Sequence, residues 1–144
     1  VQKYAAENGI EVAEVYALIR QESQFFPGAI SIAKAQGLMQ LLPSTAKLVA
    51  VKLGMKKYDL LKAEDNIRLG IGFMRDIKDS YTADYVGLAI AYNAGPGRYT
   101  QWKKKYSADE DIFVEEIPFQ ETYQYVRVLL ADRAKYRAML MNSQ

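Results

Sequence analysis

Residues 11–23, EVAEVYALIRQES, decide the fold class and raise the first question about function. Val12, Val15, Tyr16 and Ile19 recur at the spacing of one helical face, which predicts an amphipathic α-helix. Three residues beyond Ile19 the same stripe arrives at Glu22, close to where the helix is expected to stop. A carboxylate on a core-facing stripe is desolvated, and the C-terminal end of the helix macrodipole disfavours its anion further. Both effects would keep a proton on Glu22 near neutrality, the state that general acid catalysis requires. The alternative is a glutamate that swings out at a frayed helix end and meets an arginine such as Arg20.

Outward from this segment the pattern is helical nearly throughout. A short helix over 2–7 is stopped by Asn8-Gly9. Phe25-Phe26-Pro27-Gly28 opens a loop that runs through Ser31 to Gly37 with little periodicity. Pro43-Ser44-Thr45 reads as the first turn of a helix reaching Leu53 and closed by Gly54. A turn region over 59–65 leads into a helix over 66–78. There Gly70 and Gly72 weaken the helix intrinsically and are read as points of close packing, not as a phosphate loop. Residues 83–93 form another amphipathic pattern with Tyr85, Leu88, Ala89 and Tyr92 on one face, ended by Gly95-Pro96-Gly97. A short helix over 98–105 and an acidic loop over 107–111 follow. The last element, 121–141, is expected to bury Val126, Leu129, Leu130 and Ala134, with Pro118 just upstream. No repeat, low-complexity stretch or second domain is visible, so 1–144 reads as a single domain.

At 144 residues and 50% hydrophobic content the chain is long enough to bury a proper core. It has no Cys and no His, which excludes disulfides, thiolate chemistry, Ser–His–Asp triads and the usual His-based zinc sites. Catalysis would fall to carboxylates, Tyr, Lys or backbone groups. A net charge of +2 is too small to argue for nucleic acid, and Lys103, Lys104 and Lys105 read as a solvated helix end. The carboxylates do not cluster at metal-ligand spacing, so neither a metal nor another cofactor is expected. No apolar run approaches the length of a membrane span and no signal-peptide pattern opens the chain. The chain begins with Val, which fits processing or excision from a longer protein.

Tyr92 repeats the placement of Glu22, a polar tip at the far end of an apolar stripe. A phenol bonded to a carboxyl would orient it and stabilise its anion after proton transfer; a core tyrosine bonded to a backbone carbonyl is the plainer alternative. Asn93 could hold a substrate amide or cap its helix. Gly37-Leu38-Met39-Gln40 offers close approach, apolar wall and an amide. Glu121, three residues after Pro118, suits the first turn of a helix.

Four strings taken together are specific. Residues 17–23 (ALIRQES), 37–45 (GLMQLLPST), 91–95 (AYNAG, within AYNAGPGR) and 117–126 (IPFQETYQYV) resemble, in order and separation, the soluble lytic transglycosylases of bacterial cell walls, the Slt family with a goose-type lysozyme-like fold. The resemblance runs from about Glu11 to Tyr136. It implies a mainly α, lysozyme-like multi-helix domain with a substrate groove and at most a small β-hairpin or sheet. It implies that Glu22 is the single catalytic acid/base and that Tyr92 bonds to it. Ser31 and Gln40 would face the sugar, and Asn93 and Glu121 would line the groove, Glu121 towards the stem peptide. Tyr125 matches a groove-side position. Leu42 stands where the best-known members carry Met near the sugar subsite, keeping the apolar wall without the thioether. Tyr123 stands where the commoner pattern has Arg after Glu-Thr, which removes a charge contact with the peptide.

The resemblance further implies non-hydrolytic cleavage of the β-1,4 bond between N-acetylmuramic acid and N-acetylglucosamine, giving 1,6-anhydro ends. The partners would be peptidoglycan strands with stem peptides, the setting the periplasm of the bacterial envelope. A helical region of the same protein would precede Val1, making this chain the C-terminal, catalytic part. Two other functions compete. A lysozyme-like muramidase would usually place a second carboxylate about 5–10 Å from the first, and Asp59, Glu64, Asp65, Asp109, Glu110, Asp111, Glu115 and Glu116 are the candidates, none inside the four strings. A non-catalytic module would bind glycan strands or a protein through the same groove. A purely structural helical domain fits four ordered strings poorly.

Overall fold

Two of the first three helices end at a glycine, where the absence of a Cβ lets the backbone turn left-handed. α1 (Gln2–Asn8) stops at Gly9, φ 63°, and α3 (Pro43–Leu53) starts on its proline and stops at Gly54, φ 68°. Between them lies α2 (Val12–Ser23), and α4 (Ala63–Ser80) follows. The later elements are α5 (Tyr85–Ala94), α6 (Pro96–Lys105), α7 (Glu110–Glu115) and α8 (Gln120–Asn142). This computed structural model describes residues 1–106 and 108–143, in two compact units, Val1–Arg75 and Asp76–Gln144. Among the described residues the fold is mainly helical, and strand pairing is limited to isolated antiparallel bridges, Ile30 with Gln36 and Gln36 with Leu41. No described helix is long and apolar enough to cross a membrane.

In the first unit α1 packs on α2. The expected stripe of α2 is only part of what is covered: Val15 and Ile19 are buried, but so are Ala13, Glu14, Ala17 and Leu18, while Val12 and Tyr16 are half-buried. With alanines and Leu18 beside the stripe, the apolar surface is wider than one face. A second cluster joins Leu41, Ala46, Val49, Ala50, Leu60 and Leu69, flanked by Leu53, Met55, Tyr58 and Phe73. Helix α4 begins at Ala63, earlier than expected. Glu64 and Asp65 fall in its first turn, where the dipole favours anions, and Asp65 also accepts a bond from the Asp59 N–H at 2.9 Å. Its glycines are indeed points of close approach. A Cβ at Gly72 would stand 2.8 Å from Val49 Cγ1, and one at Gly70 would stand 2.8 Å from Met39 Cβ.

One polar side chain ties the loop after α2 to α4. Asn66 is fully buried; its Oδ1 accepts from the Met39 N–H at 2.7 Å, and its Nδ2 donates to the carbonyls of Gln36, 2.8 Å, and Leu60, 2.9 Å. Gly37 lies between those contacts at φ 80°, and a Cβ there would run into the Asn66 amide and the Leu60 carbonyl.

In the second unit Asp84 caps α5, accepting from the Gly87 N–H at 2.6 Å, and the Thr82 hydroxyl donates to Asp84 at 2.8 Å. Residues 85–91 are all buried, so α5 has no solvated face along that stretch, contrary to the amphipathic expectation. The run Val86-Gly87-Leu88-Ala89-Ile90-Ala91 carries no polar side chain, which leaves nothing for water to hold. α5 packs on α6 and α8. α6 starts at Pro96, two residues early, because proline suits the first helical position. α7 was not anticipated. Asp109 caps it by accepting from the N–H groups of Asp111, 3.0 Å, and Ile112, 3.2 Å. Within the acidic stretch over 107–111, Ser107 and the Glu110 side chain lie outside the described residues. α8 buries Thr122, Tyr125, Val126, Leu129 and Asp132. Leu130 is half-buried and Ala134 exposed, a correction that follows from their position off this stripe.

Gly37→Ala is expected to destabilise the chain by about 2–4 kcal/mol, the sum of left-handed strain and overpacking against buried groups. Urea unfolding reads this as a lower midpoint at unchanged slope; an unchanged midpoint would mean that the Asn66 contacts do not constrain the loop.

Candidate active site

Four of the candidate residues belong to the first unit. Glu22 is the penultimate residue of α2 and is half-buried. The helix stops one residue later: Gln24 turns left-handed, φ 51°, and its N–H donates to the Arg20 carbonyl at 2.9 Å. Phe25 is also left-handed, φ 60°, and its ring meets Tyr16 at 6.2 Å. Glu22 thus stands at the tip of a helix anchored by the buried Leu18 and Ile19.

The loop between α2 and α3 carries the other three and is laced by its own polar groups. Ser31 is exposed, exchanges backbone bonds with the 34–35 turn and accepts the Ala35 N–H on Oγ at 3.0 Å. Gln40 is half-buried and left-handed at φ 51°. Its Nε2 donates to the carbonyls of Gly37, 2.8 Å, and Ala29, 3.0 Å. Both amide donors are thereby used, so Gln40 can meet a ligand only as an acceptor through Oε1. Leu42 is exposed at the position before Pro43.

The other four belong to the second unit. Tyr92 and Asn93 are half-buried in the last turn of α5. Asn93 does not cap the helix, a task that falls to Gly95. Its Oδ1 accepts from the Thr122 hydroxyl at 2.7 Å, which leaves the Nδ2 hydrogens to donate, the opposite polarity to Gln40. Glu121 is exposed in the first turn of α8, beside the buried Thr122. Tyr125 is buried, so little of its ring is open to a ligand. One turn after Tyr123 stands an arginine, Arg127. Arg127 donates to the Tyr123 hydroxyl, which itself donates to Glu115 at 3.0 Å. The phenol bond first, and the Glu115 charge after it, raise the Arg127 pKa.

Asn66 and Thr122 are the residues that sequence reasoning missed. The signal was available. Asn66 shares its helical stripe with Leu69, Gly70, Phe73 and Ile77, and Thr122 shares one with Tyr125, Val126 and Leu129. Each is a polar group on an apolar face, the criterion that singled out Glu22.

Several of the carboxylates considered as a second catalytic group have structural partners. Glu64 accepts from the Tyr4 hydroxyl at 2.8 Å, Asp65 from the Asp59 N–H, Asp109 caps α7, and Glu115 lies 3.6 Å from Arg127. Among the described residues no group of carboxylates is placed to hold a metal.

A family model described as Transglycosylase SLT domain matches residues 1–113. The chain belongs to the SLT transglycosylase-domain family. It is 40% identical over 134 residues to a Haemophilus influenzae relative, covering 88% of this chain and 23% of that protein. Over 141 residues it is 35% identical to the soluble lytic murein transglycosylase of Salmonella typhimurium, covering 94% of this chain and 22% of that one. Among solved structures, an inactive glutamate-to-glutamine mutant of the Pseudomonas aeruginosa lytic transglycosylase Slt superposes with a TM-score of 0.91 at 37% identity, covering 96% of this chain and 23% of that one. The chain therefore spans less than a quarter of the length of these relatives.

Thr122→Val keeps shape and removes the donor to Asn93. It is expected to lower stability by about 1 kcal/mol, and Thr122→Ser, which keeps the hydroxyl, to lose less. Urea unfolding checks this; a Thr122→Val variant as stable as the parent would mean that the hydroxyl contributes nothing.

Proposed function

We propose that this chain is the catalytic domain of a lytic transglycosylase, with Glu22 as a single acid and then base and Tyr92 as the phenol that orients it. The observation that carries the reading is the half-buried Glu22 at the tip of a buried helix, in a chain of the SLT family. The inactivity of a solved relative with glutamine in place of one glutamate supports an essential glutamate in this family. The substrate would be peptidoglycan glycan strands bearing stem peptides, met in the periplasm, and residues 1–144 would act as one catalytic domain at the C-terminal end of a longer protein.

In the first step protonated Glu22 gives its proton to the glycosidic oxygen as the bond from C1 of N-acetylmuramic acid breaks. The oxygen of the 2-acetamido group bonds to C1, so no enzyme nucleophile is needed, as in other substrate-assisted routes. In the second step the C6 hydroxyl attacks C1, releases the acetamido group and gives its proton to the Glu22 carboxylate. The 1,6-anhydro sugar leaves and the acid is restored. Holding one intramolecular hydroxyl in place of an activated water is an orientation effect. The outward polarities suit this substrate. Gln40 can accept from a sugar hydroxyl or amide N–H, and Asn93 can donate to an acetamido or peptide carbonyl. Glu121 would face the stem peptide, with Ser31 and Leu42 along the sugar.

Glu22→Gln is expected to lower the rate of muropeptide release from purified sacculi by at least about a hundredfold, while strand binding survives. Mutant and parent turning over alike would remove Glu22 as the acid. Mass analysis of the released muropeptides is expected to show anhydro ends; products heavier by one water would make the enzyme a muramidase. Because the glutamate anion cannot donate, the rate is expected to fall as pH rises above neutrality, and a profile flat well into the alkaline range would count against this acid.

A further inference from the structure

The buried Asn66 amide is saturated by the fold and cannot touch a ligand, yet two of its three bonds hold a segment that ends at a proposed sugar contact. Gln36 and Met39, whose carbonyl and N–H it fixes, bracket Gly37 and Leu38, and Gln40 follows directly. The Gly37 carbonyl held in this frame accepts from Gln40 Nε2 at 2.8 Å, and the Ala29 carbonyl accepts both the Gly37 N–H, 2.8 Å, and Gln40 Nε2, 3.0 Å. The route runs from Asn66 through the 36–39 backbone to the side chain of Gln40. Its consequence is the orientation of Oε1, the polar atom of the Gln40 side chain that Nε2 bonding leaves over.

We infer that Asn66 is a positioning residue for glycan binding, fixing residues 36–40 so that Gln40 presents an acceptor to the sugar. The inference rests on the reading of Gln40 as a sugar contact in the proposed function. An amide needed only for stability would be satisfied by any local partners. This one reaches 30 and 27 residues back along the chain to brace a segment without regular secondary structure, whose Gln40 is held in a left-handed conformation.

The test uses the full chain carrying Glu22→Gln, so that strands remain uncut. Its readouts are the dissociation constant for purified murein glycan strands and hydrogen exchange at the Met39 amide. Asn66→Ser, too short to span the same partners, is expected to speed Met39 exchange and raise the dissociation constant, each by about tenfold. Asn66→Asp keeps the acceptor for Met39 but turns both donors towards carbonyls as acceptors, and is expected to weaken binding as much; should it fail to fold, Asn66→Ser carries the test. In a Gln40→Ala background Asn66→Ser is expected to change binding by less than about twofold, because the route is already cut. A stabilising role alone would not produce that coupling. Faster Met39 exchange with unchanged binding, full additivity with Gln40→Ala, or no strand binding by the Glu22→Gln parent would overturn the inference. If that parent binds strands and shows the coupling while the unsubstituted chain releases no muropeptide, the proposed activity falls and the role of Asn66 stands.

Discussion

A loop of nearly twenty residues separates α2 from α3, and it has almost no ladder or helix of its own to satisfy its backbone. Such a segment keeps one shape through turn bonds of its own and through tertiary partners for the N–H and C=O groups those turns leave over. Asn66 takes up two of them, the Met39 N–H and the Gln36 carbonyl, from a fully buried position, where water cannot compete and an unmade bond is costly. The effect is all-or-none in geometry. Displacing the amide would break its bonds to the Met39 N–H and to the Gln36 and Leu60 carbonyls together, leaving the Gln36 carbonyl with the Leu41 N–H alone, at 3.0 Å. Gly37 is the complementary constraint, since only a residue without Cβ lets the loop backbone approach so closely.

Helix positions were legible because their stops are chemical. Gly9, Gly54 and Gly95 close helices, and Pro43, Pro96 and Pro118 stand at or just before helix starts. What periodicity conveyed poorly was depth. It assigned α5 a solvated face that a run of six apolar or glycine residues cannot provide. It also extended the buried stripe of α8 to Ala134, which is exposed. A stripe reports which residues are apolar, whereas burial depends on how many neighbours surround the helix, and a single segment does not encode that. α7 escaped notice for a related reason. Six residues are too few to show a period, and its strongest determinant is the Asp109 cap, which reads equally well as loop chemistry.

The candidate site was legible through one signal, a polar side chain on an apolar stripe, and that signal turned out to mark three kinds of residue. Asn66 has two amide donors and a carbonyl oxygen engaged within the fold, so its work is internal. Thr122 spends its donor on Asn93 and thereby decides which end of that amide faces outward. Glu22 is only half-buried and stands one residue before the end of its helix. Sequence shows the misfit in each case; a census of partners separates scaffold from contact. Gln40 and Asn93 show the value of that census, since counting their used donors and acceptors leaves one able only to accept and the other with hydrogens to donate.

The backbone just after Glu22 has its own logic. Gln24 and Phe25 are consecutive left-handed residues, neither of them glycine, and each such conformation costs roughly 1 kcal/mol or more. A glycine at either place would relieve the strain but would also let the helix end fray, as glycine populates many alternatives. With a Cβ at both positions the chain has fewer ways to leave the observed turn. Local bonds from the Gln24 N–H to Arg20 and from the Phe26 N–H to Ser23, at 2.9 and 3.0 Å, close it, while the Phe25 ring rests on Tyr16. A strained but closed turn sets the last turn of α2 firmly, and the proton donor proposed at Glu22, which would serve two successive steps at one carbon, would need that firmness more than a relaxed backbone.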